Sequence, residues 1–134
     1  MVSITVDRDH DDPVYEQVAD QVRQLIASGD LTPGTAMPSV RQLAGDLGVS
    51  LNTVARAYRR LETEGFLAIR DRAGVTVAAP AEQVEHSVQA RLLAEMRVTL
   101  ARLRQAGMST DELQNLMRRQ VQAIDRGARR TNDV

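Results

Sequence analysis

The chain contains no cysteine. Disulfides, thiolate nucleophiles and Cys-ligated metals are thereby excluded together. It contains no lysine either, so all seventeen basic residues are Arg. That removes Schiff-base chemistry and the phosphate-binding lysine of a G-x-x-x-x-G-K-[ST] loop. The two histidines, His10 and His86, lie far apart in sequence, a poor start for a His-centred metal or nucleophile site. Tyr15, Tyr58 and Phe66 are the only aromatic residues, which leaves Leu, Val, Ile, Ala and Met to build a core. No apolar run approaches eighteen residues, so no membrane-spanning helix is expected. The first twenty residues are acidic and lack an apolar stretch, so no secretory signal is expected. These absences argue against an enzyme. No cofactor and no metal are expected, and the expected setting is the cytoplasm.

What is present is 134 residues, 43% apolar and 26% charged, enough for one small domain with an appended element. The net charge of −1 is unevenly spread. Residues 1–37 carry seven acids against Arg8 and Arg23, whereas residues 38–80 and 81–134 each carry an excess of two arginines. So weak a field would not coat nucleic acid indiscriminately, but it leaves room for a local basic surface.

Val2, Ile4 and Val6 alternate with polar residues, the period of a short strand. Pro13 suits the first turn of a helix expected over about 13–28, whose face is Val14, Val18, Val22, Leu25 and Ile26, with Gly29 as its stop. Ser39 and Gln42 have capping-box spacing at the head of a second helix, with Val40, Leu43, Ala44 and Leu47 inward. Ser50 caps a third, whose inward stripe is Val54, Ala57, Tyr58 and Leu61. Phe66, Leu67 and Ile69, then Val75 and Val77, flank a polar turn and predict a hairpin. Beyond Pro80, Val84, Val88, Leu92, Met96, Leu100 and Leu103 form one helical seam. After Gly107 and a Ser109–Glu112 capping box, Leu113, Leu116, Met117, Val121 and Ile124 form another, and the tail from Arg126 is expected to fray.

Ala44, Gly48 and Val54 stand where a helix-turn-helix needs a small residue at the crossing, a residue tolerant of positive φ in the turn, and an aliphatic on the second helix. The hairpin that follows makes the unit a winged helix. The expected fold class is mainly α with a small β-hairpin: a winged helix-turn-helix over residues 1–79, followed by a helical hairpin over 80–134 that serves dimerisation. A two-fold pair of such units suits an inverted-repeat site.

The runs Pro13-Val-Tyr-Glu-Gln-Val, Gly29-Asp-Leu-Thr-Pro-Gly, Pro38-Ser-Val-Arg-Gln-Leu-Ala, Leu47-Gly-Val-Ser-Leu-Asn-Thr-Val and Ala57-Tyr-Arg-Arg-Leu-Glu-Thr-Glu-Gly-Phe-Leu resemble the DNA-binding domain of the GntR family of bacterial transcription regulators. The connection Gly107-Met-Ser-Thr-Asp-Glu-Leu is similar to that of its YtrA subfamily, in which a short helical dimerisation element replaces a large ligand-binding domain. The resemblance implies that Arg41 contacts DNA and that the wing, with Arg70, Arg72 and Gly74, enters the minor groove. It also departs from the family, because Leu51 stands where an Arg is usual and the wing tip lacks the common Gly-rich basic character.

The residues argue the same interface on their own chemistry. Ser50, Leu51, Asn52 and Thr53 form the first turn of the recognition helix. Asn52 has the geometry to pair with an adenine edge, and Thr53 can bond a base or phosphate. Arg56 follows one turn later, with either a DNA contact or an intramolecular ion pair open to it. Tyr58 is expected to be half-buried with its hydroxyl free for a phosphate. Arg59 and Arg60 either meet phosphates or pair with Glu62 and Glu64, and Asp71 either leaves Arg70 and Arg72 free or neutralises them. Val88, Leu92, Met96, Leu100, Leu103, Leu113, Leu116, Met117 and Val121 are the candidate dimerisation residues; the alternative is that the two helices pack on each other and on the winged domain of one chain, giving a monomer.

The function expected is a sequence-specific, DNA-binding transcription regulator, a repressor in the simplest case, acting as a homodimer on a palindromic operator in double-stranded DNA. A small-molecule effector is left unassigned. Two alternatives stand beside it: a winged-helix protein–protein interaction module using the acidic N-terminal segment, and a plasmid-maintenance or architectural DNA binder of weak sequence discrimination.

Overall fold

The computed structural model describes residues 3–70, 74–81 and 85–132. Its elements are α1 (Val14–Ala27), α2 (Val40–Leu47), α3 (Leu51–Thr63), β1 (Leu67–Arg70), β2 (Gly74–Val77), α4 (His86–Gln105) and α5 (Thr110–Asn132). The chain divides into two compact units, one of residues 3–80 with 123–132 and one of residues 81–122.

Local chemistry sets the helix ends of the first unit. Pro13 stands at the N-cap of α1, with φ already in the range the first turn requires. At α2 the Ser39 hydroxyl accepts the Gln42 N–H at 3.0 Å and the Gln42 side chain accepts the Ser39 N–H at 3.1 Å, a complete capping box. The helix ends where Gly48 turns left-handed at φ 68°, a conformation costly for a residue with a Cβ. This lets Val49 donate back to the Ala44 carbonyl and allows α3 to start two residues later.

The wing is an antiparallel pair in register Leu67↔Val77 and Arg70↔Gly74, and an isolated bridge joins Ala36 to Thr76. Period-two alternation turns Leu67, Val75 and Val77 into the core. They meet Val18, Ala19 and Val22 of α1, Leu43 and Ala44 of α2, and Val54, Ala57, Tyr58 and Leu61 of α3 in one apolar cluster. Truncating the fully buried Leu61 to Ala would cost about 2–5 kcal/mol at such a site.

Polar contacts fix α1 against the end of α3. The Arg23 guanidinium donates to both Glu64 carboxylate oxygens, at 2.7 and 3.0 Å, and to Glu16 at 2.8 Å. These carboxylates, Glu64 above all, push the Arg23 pKa above its ordinary range and outweigh the desolvation that opposes them. Gly29 makes a close approach possible in the same unit: a Cβ there would stand 2.5 Å from the Ala123 carbonyl oxygen.

The strand expected at residues 2–6 is not formed: residues 3–7 belong to no sheet. Their backbone is met by side chains instead, with Gln21 bonding both backbone groups of Thr5 and Gln17 both those of Asp7. The fraying expected from Arg126 gives way to helix through Asn132.

In the second unit, α4 buries no residue, while Leu100 and Leu103 near its C-terminal end are half-buried. Gly107 (φ 109°) makes the turn between the helices, and the Ser109 hydroxyl caps α5 by accepting the Glu112 N–H at 3.1 Å. No helix among the described residues is long and apolar enough to cross a membrane.

Candidate nucleic-acid interface

The geometry of the turn after α2 decides what α3 presents. With Val54, Ala57, Tyr58 and Leu61 buried, the opposite side of the first turn faces outward. Leu51 is 49% exposed, Ser50 and Asn52 are exposed, and Thr53 is half-buried. The Ser50 hydroxyl accepts the Thr53 N–H at 3.2 Å and lies 2.8 Å from the Thr53 hydroxyl. Capping therefore locks the two hydroxyls together at the positive end of the helix dipole, where an anionic oxygen is favoured.

Arg56, one turn along, has no carboxylate within 4.0 Å among the described residues, so the ion-pair alternative does not hold. Its guanidinium carbon instead stands 3.8 Å from the centroid of the Tyr15 ring. Pro13, Val14, Tyr15, Asn52, Thr53 and Arg56 together line an open depression of about 300 Å³. A second, of about 480 Å³, is lined by Arg8, Val14, Gly48, Val49, Ser50 and Thr53 and shares two of those residues with the first.

Arg8 is the residue that sequence reasoning missed. It counts as one of two cations in an acidic segment, and no local pattern ties it to the turn. The structure brings it there: its guanidinium donates to the Gly48 carbonyl. Nothing local in the sequence pairs Gln17 and Gln21 of α1 with the segment that carries it.

The remaining expected residues divide. Arg41 and Arg59 are exposed and make no ion pair among the described residues. Arg60 approaches Glu64 at 3.6 Å while remaining exposed. Arg70 and Gly74 are exposed where the wing strands meet its tip, and Arg72 lies outside the described residues.

Tyr58 requires a correction. It is fully buried, and its hydroxyl donates to the Pro38 carbonyl at 2.8 Å. A side chain without surface and with its proton engaged cannot reach a phosphate, so Tyr58 is a core residue that ties α3 to the entry of α2. Burial pushes its pKa up to about 12.

Of the candidate dimerisation residues, Val88, Leu92, Met96 and Val121 are exposed, and Leu100, Leu103, Leu113, Leu116 and Met117 are half-buried.

Comparison with known proteins accords with this arrangement. Residues 14–77 match the family model of bacterial regulatory proteins, gntR family. Over 66 residues the chain is 47% identical to the HTH-type transcriptional regulator Rv1152 of Mycobacterium tuberculosis, a match covering 49% of this chain and 54% of that relative. The chain thus spans about half the length of that curated relative. Among solved structures, YtrA from Sulfolobus acidocaldarius, a GntR-family transcription factor, is similar with a TM-score of 0.60 and 36% identity, over 91% of this chain and 99% of that one. The AraR DNA-binding domain, solved in complex with operator ORX1, has a TM-score of 0.51 and 25% identity over 57% of this chain and 96% of its own.

Proposed function

The chain belongs to the GntR family of bacterial regulatory proteins, and from that premise we propose that it is a sequence-specific transcription regulator that binds an inverted-repeat operator as a homodimer. The observation that carries this reading is the outward face of α3. Ser50, Leu51, Asn52 and Thr53 form the start of one helix, with Arg56 one turn further along, and Arg8 and Arg41 add cations from the neighbouring segments. A helix N-terminus of this width fits a major groove: Asn52 reads an adenine edge, and the arginines take phosphates or a guanine edge.

The regulator acts in the cytoplasm and has no catalytic step. Residues 80–134 serve as its dimerisation element, through the apolar face of α4 and the seam of α5. The simplest regulatory output is repression, because a dimer seated on a promoter palindrome excludes polymerase. The wing, through Arg70, Arg72 and Gly74, approaches the minor groove beside each half-site.

Selection of bound sequences from a random duplex library tests the proposal. The expected product is a palindrome whose half-sites are about one helical turn apart. Arg41→Ala and Asn52→Ala are expected to weaken binding to it, Asn52→Ala with relaxed preference at one position of each half-site. With about six to eight phosphates neutralised per dimer, log affinity against log salt should slope at about −5 to −7. Failure to enrich any sequence would overturn the reading.

A further inference from the structure

We propose that Tyr15 is a positioning residue for DNA recognition: its ring holds the Arg56 guanidinium beside Asn52 and Thr53 before any duplex arrives. This rests on the DNA-binding reading above and adds to it a residue from α1, an element that supplies none of the expected contacts.

The local sequence explains why Arg56 stacks and does not pair. Its neighbours one turn away on α3 are Asn52 and Thr53 on one side and Arg59 and Arg60 on the other, so the helix offers it no carboxylate. Tyr15 fills that gap. It is half-buried, packed against the core, and carried on a helix whose start is fixed by Pro13. The ring is thus a rigid platform, and the guanidinium centre lies 3.8 Å from its centroid. An arginine held by its face keeps its edge N–H groups available, and those are the groups that bond a phosphate or the O6/N7 edge of guanine. An unstacked arginine at this exposed position would sample many rotamers and would have to be ordered on binding. Stacking meets that ordering in the free protein.

Tyr15 has a second possible route to DNA, its hydroxyl, which makes no hydrogen bond among the described residues. Conservative substitution separates the two routes. The probe is the duplex that the wild-type chain enriches from the random library, and the protein is the full chain. Tyr15→Leu is expected to weaken binding about two- to fivefold per half-site, the range of an exposed cation–π contact. Tyr15→Phe, which keeps the ring, should bind within about twofold of wild type by the same measure. In an Arg56→Ala background Tyr15→Leu should produce no further loss, because the stack has already gone. Thermal melting of each variant checks that the fold is intact.

Tyr15→Leu binding as wild type would overturn the proposal, as would Tyr15→Phe being as weak as Tyr15→Leu, which would assign the effect to the hydroxyl. An equal loss from Tyr15→Leu with and without Arg56 would make its role independent of the arginine and overturn the proposal too. If Arg56→Ala alone binds the duplex normally, Arg56 is no DNA contact and the positioning role falls while DNA binding stands. If the wild-type chain enriches no duplex, the DNA-binding reading fails first.

Discussion

The side chain of Gln17 holds Asp7 by both backbone groups: its carbonyl oxygen accepts the Asp7 N–H at 2.8 Å, and its amide nitrogen donates to the Asp7 carbonyl at 2.8 Å. Gln21 does the same for Thr5. Four residues of α-helix rise about 6 Å and two residues of extended chain about 6.6 Å, so the two spacings match. The glutamines serve as a strand partner made of side chains, and the segment they hold delivers Arg8 to Gly48. Gln17→Ala is expected to release residues 3–12. Amide exchange at Thr5 and Asp7 should approach unprotected rates while the α3 amides stay protected. The global loss should be about 0.5–1.5 kcal/mol, because the bonds are exposed. Continued protection at Asp7 would contradict the pairing.

Gln17 and Gln21 also mark the limit of what the sequence made legible. Interactions closed within a few residues were readable: the Ser39–Gln42 box, Ser50 as a cap, Gly48 in the turn and the hairpin itself around Val75 and Val77. Each is decided by local sterics and by periodicity. The amphipathic spacing of α3 likewise placed Tyr58 inward, but its burial is complete where half was expected, and its hydroxyl was given too much freedom because the Pro38 carbonyl that takes it is twenty residues away. The alternation at residues 2–6 predicted a strand that residues 3–7 do not form, and it carried no information about a partner supplied by side chains. The Arg23–Glu64 pair, forty-one residues apart, and the Tyr15–Arg56 stack share that character. Both bring α1 to α3, and no periodic pattern encodes which polar side chains meet across a helix crossing.

The buried Tyr58 hydroxyl makes stability depend on pH in an alkaline window. Desolvation raises the folded-state pKa from 10.0 to about 12. Below pH 10 both folded and unfolded chains keep the proton, and stability is flat in this respect. Between about pH 10 and 12 the unfolded chain loses the proton first, so unfolding is favoured progressively and the contribution is lost as pH rises. Denaturant midpoints for the wild type should fall across that window, while those of Tyr58→Phe should lack this component. At neutral pH the same variant should be less stable by about 1 kcal/mol, since the Pro38 carbonyl loses its donor. Parallel curves for the two proteins up to pH 12 would show that the hydroxyl is not desolvated.

Leu51 offers a direct test of how the first turn of α3 reads DNA. It is large, apolar and 49% exposed at a position that does nothing for the core. Leu51→Arg should therefore leave the melting temperature nearly unchanged, as surface substitutions generally do. It should also shift the selected operator toward guanine at one position of each half-site, with about 1–3 kcal/mol of discrimination there. The same operator selected by both proteins would mean that residue 51 does not face a base.

The second unit makes the dimer testable by the same reasoning about surface. A 20-residue helix with no buried residue, carrying Leu92 at 52% exposure with Val88 and Met96 also exposed, leaves much of its apolar seam uncovered. Most helical stability in proteins comes from packing of an apolar face, and in the proposed dimer a second copy would cover that face by two-fold symmetry. Leu92→Glu puts two carboxylates into that interface and removes two apolar anchors. The variant is expected to sediment as a 14.8 kDa monomer at concentrations where the wild type is double that mass. Its helix content should also fall, because the uncovered α4 unwinds, while the winged unit keeps its own melting transition. Operator affinity should drop toward that of one half-site, and the salt slope should halve, since half the phosphate contacts are lost per binding event. A wild-type chain that sediments as a monomer at tens of micromolar, with α4 fully helical, would remove the reason for a second copy.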